Sequence, residues 1–241
     1  MGLPDEISAC LFDLDGVLTE TAVLHRKAWK RTFDDFLKHR EGPDFRPFSD
    51  EDYLDYVDGR PRTDGVRTFL ESRGISLPEG GPGDPLGAAT INGIGSTKNA
   101  LLLKVMDEEG VAAYDGSVRY VSAAHEAGLK IAVVTSSANG KAVLEAAGLT
   151  RYIRVLIDGV VSAEQGLRGK PAPDTFLAGA RALDVSSDRA AVFEDALAGV
   201  EAGRAGEFGF VVGVNRSDQA EALRTHGADV VVNDLSDLLE R

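Results

Sequence analysis

Six short apolar runs, rich in Val, Ile and Phe, punctuate the chain at Ala9–Phe12, Ile131–Thr135, Val155–Ile157, Ala190–Phe193, Phe210–Val214 and Val230–Val232, each bounded by polar residues or Gly. Continuous apolar runs of this length, without alternation, read as strands buried on both faces. Between them, Ser117–Ala127, Gly140–Ala147, Pro173–Leu183, Ala196–Ala205 and Asp218–His226 carry apolar positions at helical spacing and an Ala/Glu/Leu content that favours helix. Gly128, Gly148 and Gly227 stand just past three of these segments, where a left-handed residue closes a helix. Strand and helix in alternation predict an α/β protein with a doubly wound, Rossmann-like parallel sheet and right-handed crossovers.

The first strand breaks the rhythm, because no comparable apolar run follows Phe12 until Ile131. The intervening stretch has helical patches at Thr21–Lys38, Glu51–Val57, Gly65–Arg73 and Asn99–Glu109, which predict an α-helical domain inserted into the sheet domain. The expected boundaries are 1–19 and 110–241 for the sheet domain and 20–109 for the insertion. Within the insertion, Leu77–Ser96 carries six Gly and three Pro and predicts a long irregular loop. The acidic stretch Asp50–Asp58 reads as a solvated helix face.

With 241 residues the chain is long enough for one main domain and an accessory lobe, and 43% hydrophobic with 27% charged residues is ordinary for a folded protein. The net charge of −13, from 39 acidic against 26 basic residues, argues against a nucleic-acid partner. A small phosphorylated ligand is compatible with that charge, since it needs only a few cations and a metal in one cleft. Cys10 is the sole cysteine, so no intramolecular disulfide can form and a reducing compartment fits. No run of 18 apolar residues, no leader-like N-terminus and Glu6 in place of a myristoylation hydroxyl make a cytoplasmic protein without membrane contact the expectation.

Candidate chemistry clusters at strand ends. In LFDLDGVLTE, Asp13 and Asp15 follow the first strand directly, at the edge where a parallel sheet exposes its carboxyl ends. An extended chain through Asp15 would point both carboxylates into one crevice, and two such neighbours repel unless Mg²⁺ or a proton lies between them. Thr135 closes IAVVT and precedes Ser136, Ser137 and Asn139, a set of hydroxyl, amide and backbone donors suited to an anion. Lys170 lies in GKPAPD, where Pro171 and Pro173 stiffen the backbone, and Glu194 and Asp195 close AAVFED with hard oxygen ligands. Each alone has an ordinary explanation as a cap or a surface charge, but four such clusters at strand ends point to one site. GIGSTK at 93–98 lacks the features of a phosphate loop, and His39, His125 and His226 stand apart from any metal-ligating cluster.

The ordered set DLDGV, VVTS, GKPAPD and FEDALAGVEAG resembles the four motifs of the haloacid dehalogenase superfamily, over nearly the whole chain. The helical insertion resembles the cap domain of its β-phosphoglucomutase-like subgroup, as does DLDGVLTETAVLHRKAW with Thr19, Thr21 and His25, and the resemblance makes Thr19 a substrate- or phosphate-binding residue. The resemblance implies that Asp13 attacks phosphorus to form an aspartyl phosphate while Asp15 serves as general acid and base. It implies Mg²⁺ held by Asp13, the Asp15 backbone carbonyl and Asp195, with Glu194 beside them, and a transferring phosphoryl group held by Thr135 and Lys170. VDGRPRTDGV is similar to the subgroup's specificity loop, which places Arg62 on a distal phosphate shared with Ser137 and Asn139, makes Ser136 a further substrate- or phosphate-binding residue and makes Lys98–Asn99 the contact to sugar hydroxyls. His25 has two readings, a capping or packing residue and a participant in substrate handling.

Two departures stand out: Asp58 where the subgroup's loop has a lysine, and Ala138 where a phosphate-binding lysine would follow the second motif. Arg60 could restore one of those contacts, because a guanidinium binds phosphate bidentately. The implied activity is interconversion of β-D-glucose 1-phosphate and glucose 6-phosphate by a monomer acting on a small phosphorylated sugar. The alternative is a Mg²⁺-dependent sugar-phosphate phosphatase.

Overall fold

A buried strand must satisfy its backbone groups in ladders, and the apolar runs do so together, the four inner ones paired on both sides and the two outer ones on one. The computed structural model, which describes residues 1–239, has β1 (Ala9–Phe12), β2 (Lys130–Val134), β3 (Val155–Ile157), β4 (Ala190–Glu194), β5 (Phe210–Val214) and β6 (Val230–Val232) in one sheet of order β3-β2-β1-β4-β5-β6. Every pairing is parallel, and Phe12 stands opposite Val133 on one side and Phe193 on the other. This register brings Asp13, Val134 and Glu194 to one level at the carboxyl edge of the three central strands.

Two compact units result: Met1–Glu20 with Val111–Arg241, and Thr21–Gly110. In the first, the sheet is accompanied by α5 (Asp115–Glu126), α6 (Gly140–Ala146), α7 (Gly159–Glu164), α8 (Asp174–Ala182), α9 (Leu197–Ala205) and α10 (Ala220–His226). Leu11, Val134, Phe176, Val192 and Val211 form part of its buried core, and Phe12 stacks on Phe193 at 4.3 Å between ring centroids. Gly128, Gly148 and Gly227 all have positive φ, as their places after helices require.

The second unit consists of α1 (Thr21–Glu41), α2 (Asp50–Tyr56), α3 (Arg62–Ser72) and α4 (Ile91–Glu109) around an aromatic core. Phe33 is its centre, with ring centroids of Trp29, Phe48 and Phe69 at 5.0, 5.1 and 4.2 Å. Among the described residues, no helix is long and apolar enough to cross a membrane.

Two expectations for this unit need correction. The loop expected over Leu77–Ser96 ends early, because Ile91–Ser96 forms the first turns of α4. Thr90 caps that helix by accepting from Gly93 N at 2.9 Å, and a Cβ on Gly93 would lie 2.6 Å from the Ala88 carbonyl oxygen. The glycines there permit close approach within a helix and do not signal irregular chain.

The acidic stretch is not a uniformly solvated face either. Asp52 is buried at 4% exposure, closes a capping box with Ser49, and accepts from Arg73 Nη2 at 2.6 Å. Burial opposes its charge, but the hydrogen bonds from Ser49 and Arg73 outweigh that and hold its carboxyl below the ordinary range. Such a depressed folded value gives stability that is present above about pH 4, the unfolded range, and lost as pH falls through the folded value. Asp52→Ala is expected to cost about 3 kcal/mol at neutral pH, read by chemical denaturation, with the deficit shrinking in acid.

Candidate active site

β1 stops at Phe12, and the chain turns at once: Gly16 N donates to Thr19 O at 2.8 Å and Thr19 N to Leu14 O at 2.9 Å. Asp13 still extends the ladder, its N donating to Phe193 O at 2.9 Å, whereas Asp15 lies on the tight turn and not on an extended strand. Gly16 has φ +98°, and a Cβ there would collide with the Asp195 carboxylate. Only glycine lets the first acidic turn approach the second so closely. Gly199 does the same service for Glu194, whose carboxylate occupies the space that a Cβ would fill.

Lys170 sits at the centre. Its Nζ donates to Asp13 Oδ1 at 2.5 Å, Glu194 Oε1 at 2.5 Å and Val134 O at 3.0 Å, so all three ammonium donors are used. It is 2% exposed and lies 4.8 Å above the Phe176 ring. Burial alone would favour neutral lysine, but the Asp13 and Glu194 carboxylates overcome it and raise the pKa above the usual lysine value. Asp13 is also pushed up, chiefly by burial and further by the charges of Glu194 and Asp15, against the opposing pull of Lys170.

One ligand atom each from Asp13, Glu194 and Asp195 lies within 4.8 Å of the others. With Asp15 they put four carboxylates against one ammonium, an excess of negative charge made of hard oxygen donors that fits a small divalent cation. Thr135 Oγ1 donates to Asp15 Oδ2 at 3.1 Å and accepts from Ser137 N at 3.1 Å, while Ser137 Oγ accepts from Asn139 N at 3.2 Å. Ser136, Ser137 and Asn139 follow it, half-buried. Thr19 is buried and donates to Leu14 O at 3.1 Å, which braces the turn.

The helical unit groups the other sequence candidates. Lys98 Nζ donates to His25 Nδ1 at 3.1 Å and lies 4.9 Å above the Trp29 ring. Arg60 and Arg62 flank Pro61 at the start of α3, both half-buried, and burial lowers the pKa of the Arg62 guanidinium.

Three residues near the site were not singled out by sequence. Asp158 is buried, accepts from Val160 N and Val161 N at 3.0 Å, and precedes Gly159, whose N donates to Ser137 O at 2.9 Å. An acid closing the VLID run was a signal of the same kind as the others. Arg216 Nε donates to Gly16 O at 2.8 Å, and Gln219 Nε2 donates to Asp195 O at 3.1 Å.

A family model for haloacid dehalogenase-like hydrolases matches residues 7–206, a span that holds Asp13, Asp15, Thr135, Lys170, Glu194 and Asp195 and ends before Arg216. β-Phosphoglucomutase of Mycobacterium tuberculosis is 54% identical over 99% of this chain and 94% of its own length. The chain belongs to the haloacid dehalogenase-like hydrolases, in their β-phosphoglucomutase-like subgroup. The crystal structure of β-phosphoglucomutase from Clostridium difficile matches this haloacid dehalogenase-like chain with a TM-score of 0.74 and 25% identity, covering 96% of it and 93% of the other. A hydrolase from Pseudomonas syringae shares the fold at a TM-score of 0.79 and 22% identity, over 97% of each chain.

Proposed function

We propose that the protein is a Mg²⁺-dependent phosphomutase that interconverts β-D-glucose 1-phosphate and glucose 6-phosphate in the cytoplasm through an aspartyl phosphate on Asp13. The observation that carries this reading is the buried Asp13 carboxylate, at the carboxyl edge of the central strand, with the Lys170 ammonium 2.5 Å from one oxygen. An ammonium there compensates charge on the transferring group, one of its three donors passing from a protein acceptor to a phosphoryl oxygen.

In the first half-reaction a carboxylate oxygen of Asp13 bonds to phosphorus as the bond from phosphorus to the donor's oxygen breaks, and Asp15 delivers its proton to that oxygen. In the second half-reaction Asp15 takes the proton from the acceptor hydroxyl as its oxygen bonds to phosphorus and the acyl phosphate opens. Thr135 and Lys170 hold the phosphoryl oxygens, and the donors of Ser136, Ser137 and Asn139 suit a second phosphate. Arg60, Arg62, Lys98 and His25 are assigned to recognising the sugar and that second phosphate, and Thr19 to bracing the turn that carries Asp15. Mg²⁺, held by Asp13, the Asp15 carbonyl, Asp195 and the adjacent Glu194, would supply Lewis-acid charge compensation when bound.

A phosphatase, in which water takes the place of the acceptor hydroxyl, is favoured by one feature: Asp58 and Ala138 occupy positions where the resemblance leads one to expect lysines. The two readings separate in a coupled assay with β-D-glucose 1-phosphate, Mg²⁺ and catalytic glucose 1,6-bisphosphate. Glucose 6-phosphate should accumulate with little inorganic phosphate, and release of phosphate without glucose 6-phosphate would refute the mutase.

A further inference from the structure

Beyond β5 the chain forms a loop, Asn215–Gln219, that supplies no carboxylate to the acidic cluster yet grips both of the turns that do. Arg216 Nε reaches Gly16 O at 2.8 Å, and Gln219 Nε2 reaches Asp195 O at 3.1 Å. The loop is itself braced. Asn215 N donates to Val232 O at 2.8 Å, Asn215 Oδ1 accepts from Gln219 N at 2.9 Å, and Arg216 Nη1 donates to Asn233 O at 3.0 Å. The guanidinium also lies 3.6 Å from the centroid of the Tyr114 ring, which limits its freedom to move.

We propose that Arg216 and Gln219 are positioning residues that hold the Asp13–Gly16 turn and the Glu194–Asp195 turn at the separation a divalent cation needs. The inference rests on the metal-dependent reading above. Gly16 has neither a side chain nor an ordinary φ to restrain it, and a hydrogen bond to its carbonyl fixes the plane of the peptide that follows. The preceding carbonyl, that of Asp15, is a ligand in the metal reading and is oriented through the same residue. Gln219 applies the equivalent restraint to the backbone of Asp195.

Charge and position predict opposite signs. A guanidinium near a cation site repels the cation, so removing it would tighten metal binding if charge were its main effect; removing a positioning residue loosens it. The test is the Mg²⁺ dissociation constant of the full chain by titration calorimetry, with Mn²⁺ binding followed by paramagnetic resonance, for wild type and for Arg216→Ala, Arg216→Gln and Gln219→Ala. Arg216→Ala should raise the constant about tenfold, as loss of an outer-shell partner does. Arg216→Gln, which keeps one donor for Gly16 O, should recover part of that loss, and Gln219→Ala should weaken binding severalfold. The KM for sugar phosphate at saturating Mg²⁺ should stay within about twofold, because neither residue is assigned to the substrate. Unchanged or tighter metal binding in folded Arg216→Ala overturns the proposal. Should that variant fail to fold, Gln219→Ala decides alone, and unchanged binding there has the same force. If wild type takes up neither Mg²⁺ nor Mn²⁺, the metal reading itself falls and the proposal with it.

Discussion

Asp13→Asn is expected to form no phosphoenzyme and to lower turnover by at least about 10⁴-fold. The substitution preserves volume, and the amide oxygen can still accept from Lys170, so the fold should survive. What it removes is the anionic oxygen that, in the proposed mechanism, bonds to phosphorus. In wild type that oxygen belongs to a carboxyl group whose burial opposes ionisation, and the Lys170 ammonium at 2.5 Å pulls it back towards the charged form. A neutral amide has no such state to stabilise. Rapid acid quench during turnover followed by mass spectrometry should find an acyl phosphate on Asp13 in wild type and none in the variant. A phosphorylated adduct on another residue, or substantial turnover by folded Asp13→Asn, would show that the nucleophile lies elsewhere.

Lys170→Met should reduce turnover by about 10³-fold and also destabilise the protein, for a different reason in each case. For turnover, the lost ammonium no longer offsets charge spreading over the phosphoryl oxygens. For stability, Asp13 and Glu194 lose the counter-ion they share at 2.5 Å each while remaining buried at 6% and 0% exposure. Breaking a buried ion pair from one side typically costs about 3–5 kcal/mol, which in a chain of this size lowers the melting temperature by about 10 °C. Methionine suits the test because it fills the stem's volume beside Phe176 without charge.

Two signs accompany that loss. Divalent metal should stabilise the variant more than wild type, because it supplies part of the missing positive charge. The deficit should also shrink as pH falls, since a carboxyl whose folded pKa is raised binds more protons folded than unfolded, and folding then gains with acid. Thermal melts with and without Mg²⁺ across pH 5–8 test both, and equal melting temperatures for variant and wild type without metal would contradict the account.

Much of this architecture is written locally. Ala9–Phe12 and Ala190–Phe193 declare themselves as strands because every side chain in a doubly covered parallel strand faces apolar neighbours, so the run alone carries the signal. Asp13, Thr135, Lys170 and Glu194–Asp195 were legible for a related reason. A parallel sheet presents its carboxyl ends together, so chemistry-bearing residues just past apolar runs, or in a Pro-stiffened turn ahead of a helix, converge whatever the strand order. Motif resemblance then assigned them roles that no single cluster carries.

What the tertiary structure decided are the relations between residues far apart in the chain. Lys170 bridges Asp13, 157 positions away, and Glu194, 24 positions away, a pairing that depends on β1 and β4 being neighbours in register. Asp52 looked like one of several solvated acids until Arg73, 21 positions on, buried it. Ile91–Ser96 read as loop because glycine's local preference dominates a sequence window, whereas in the folded chain Gly93 makes room for Ala88. Arg216 gave no local sign of its hold on Gly16, 200 positions earlier. Apolar periodicity and strand-end chemistry are properties of short segments, and the amino-acid order determined those. Which carboxylate shares which cation, and which side chain braces which turn, follow from strand order and register, which long-range packing selects.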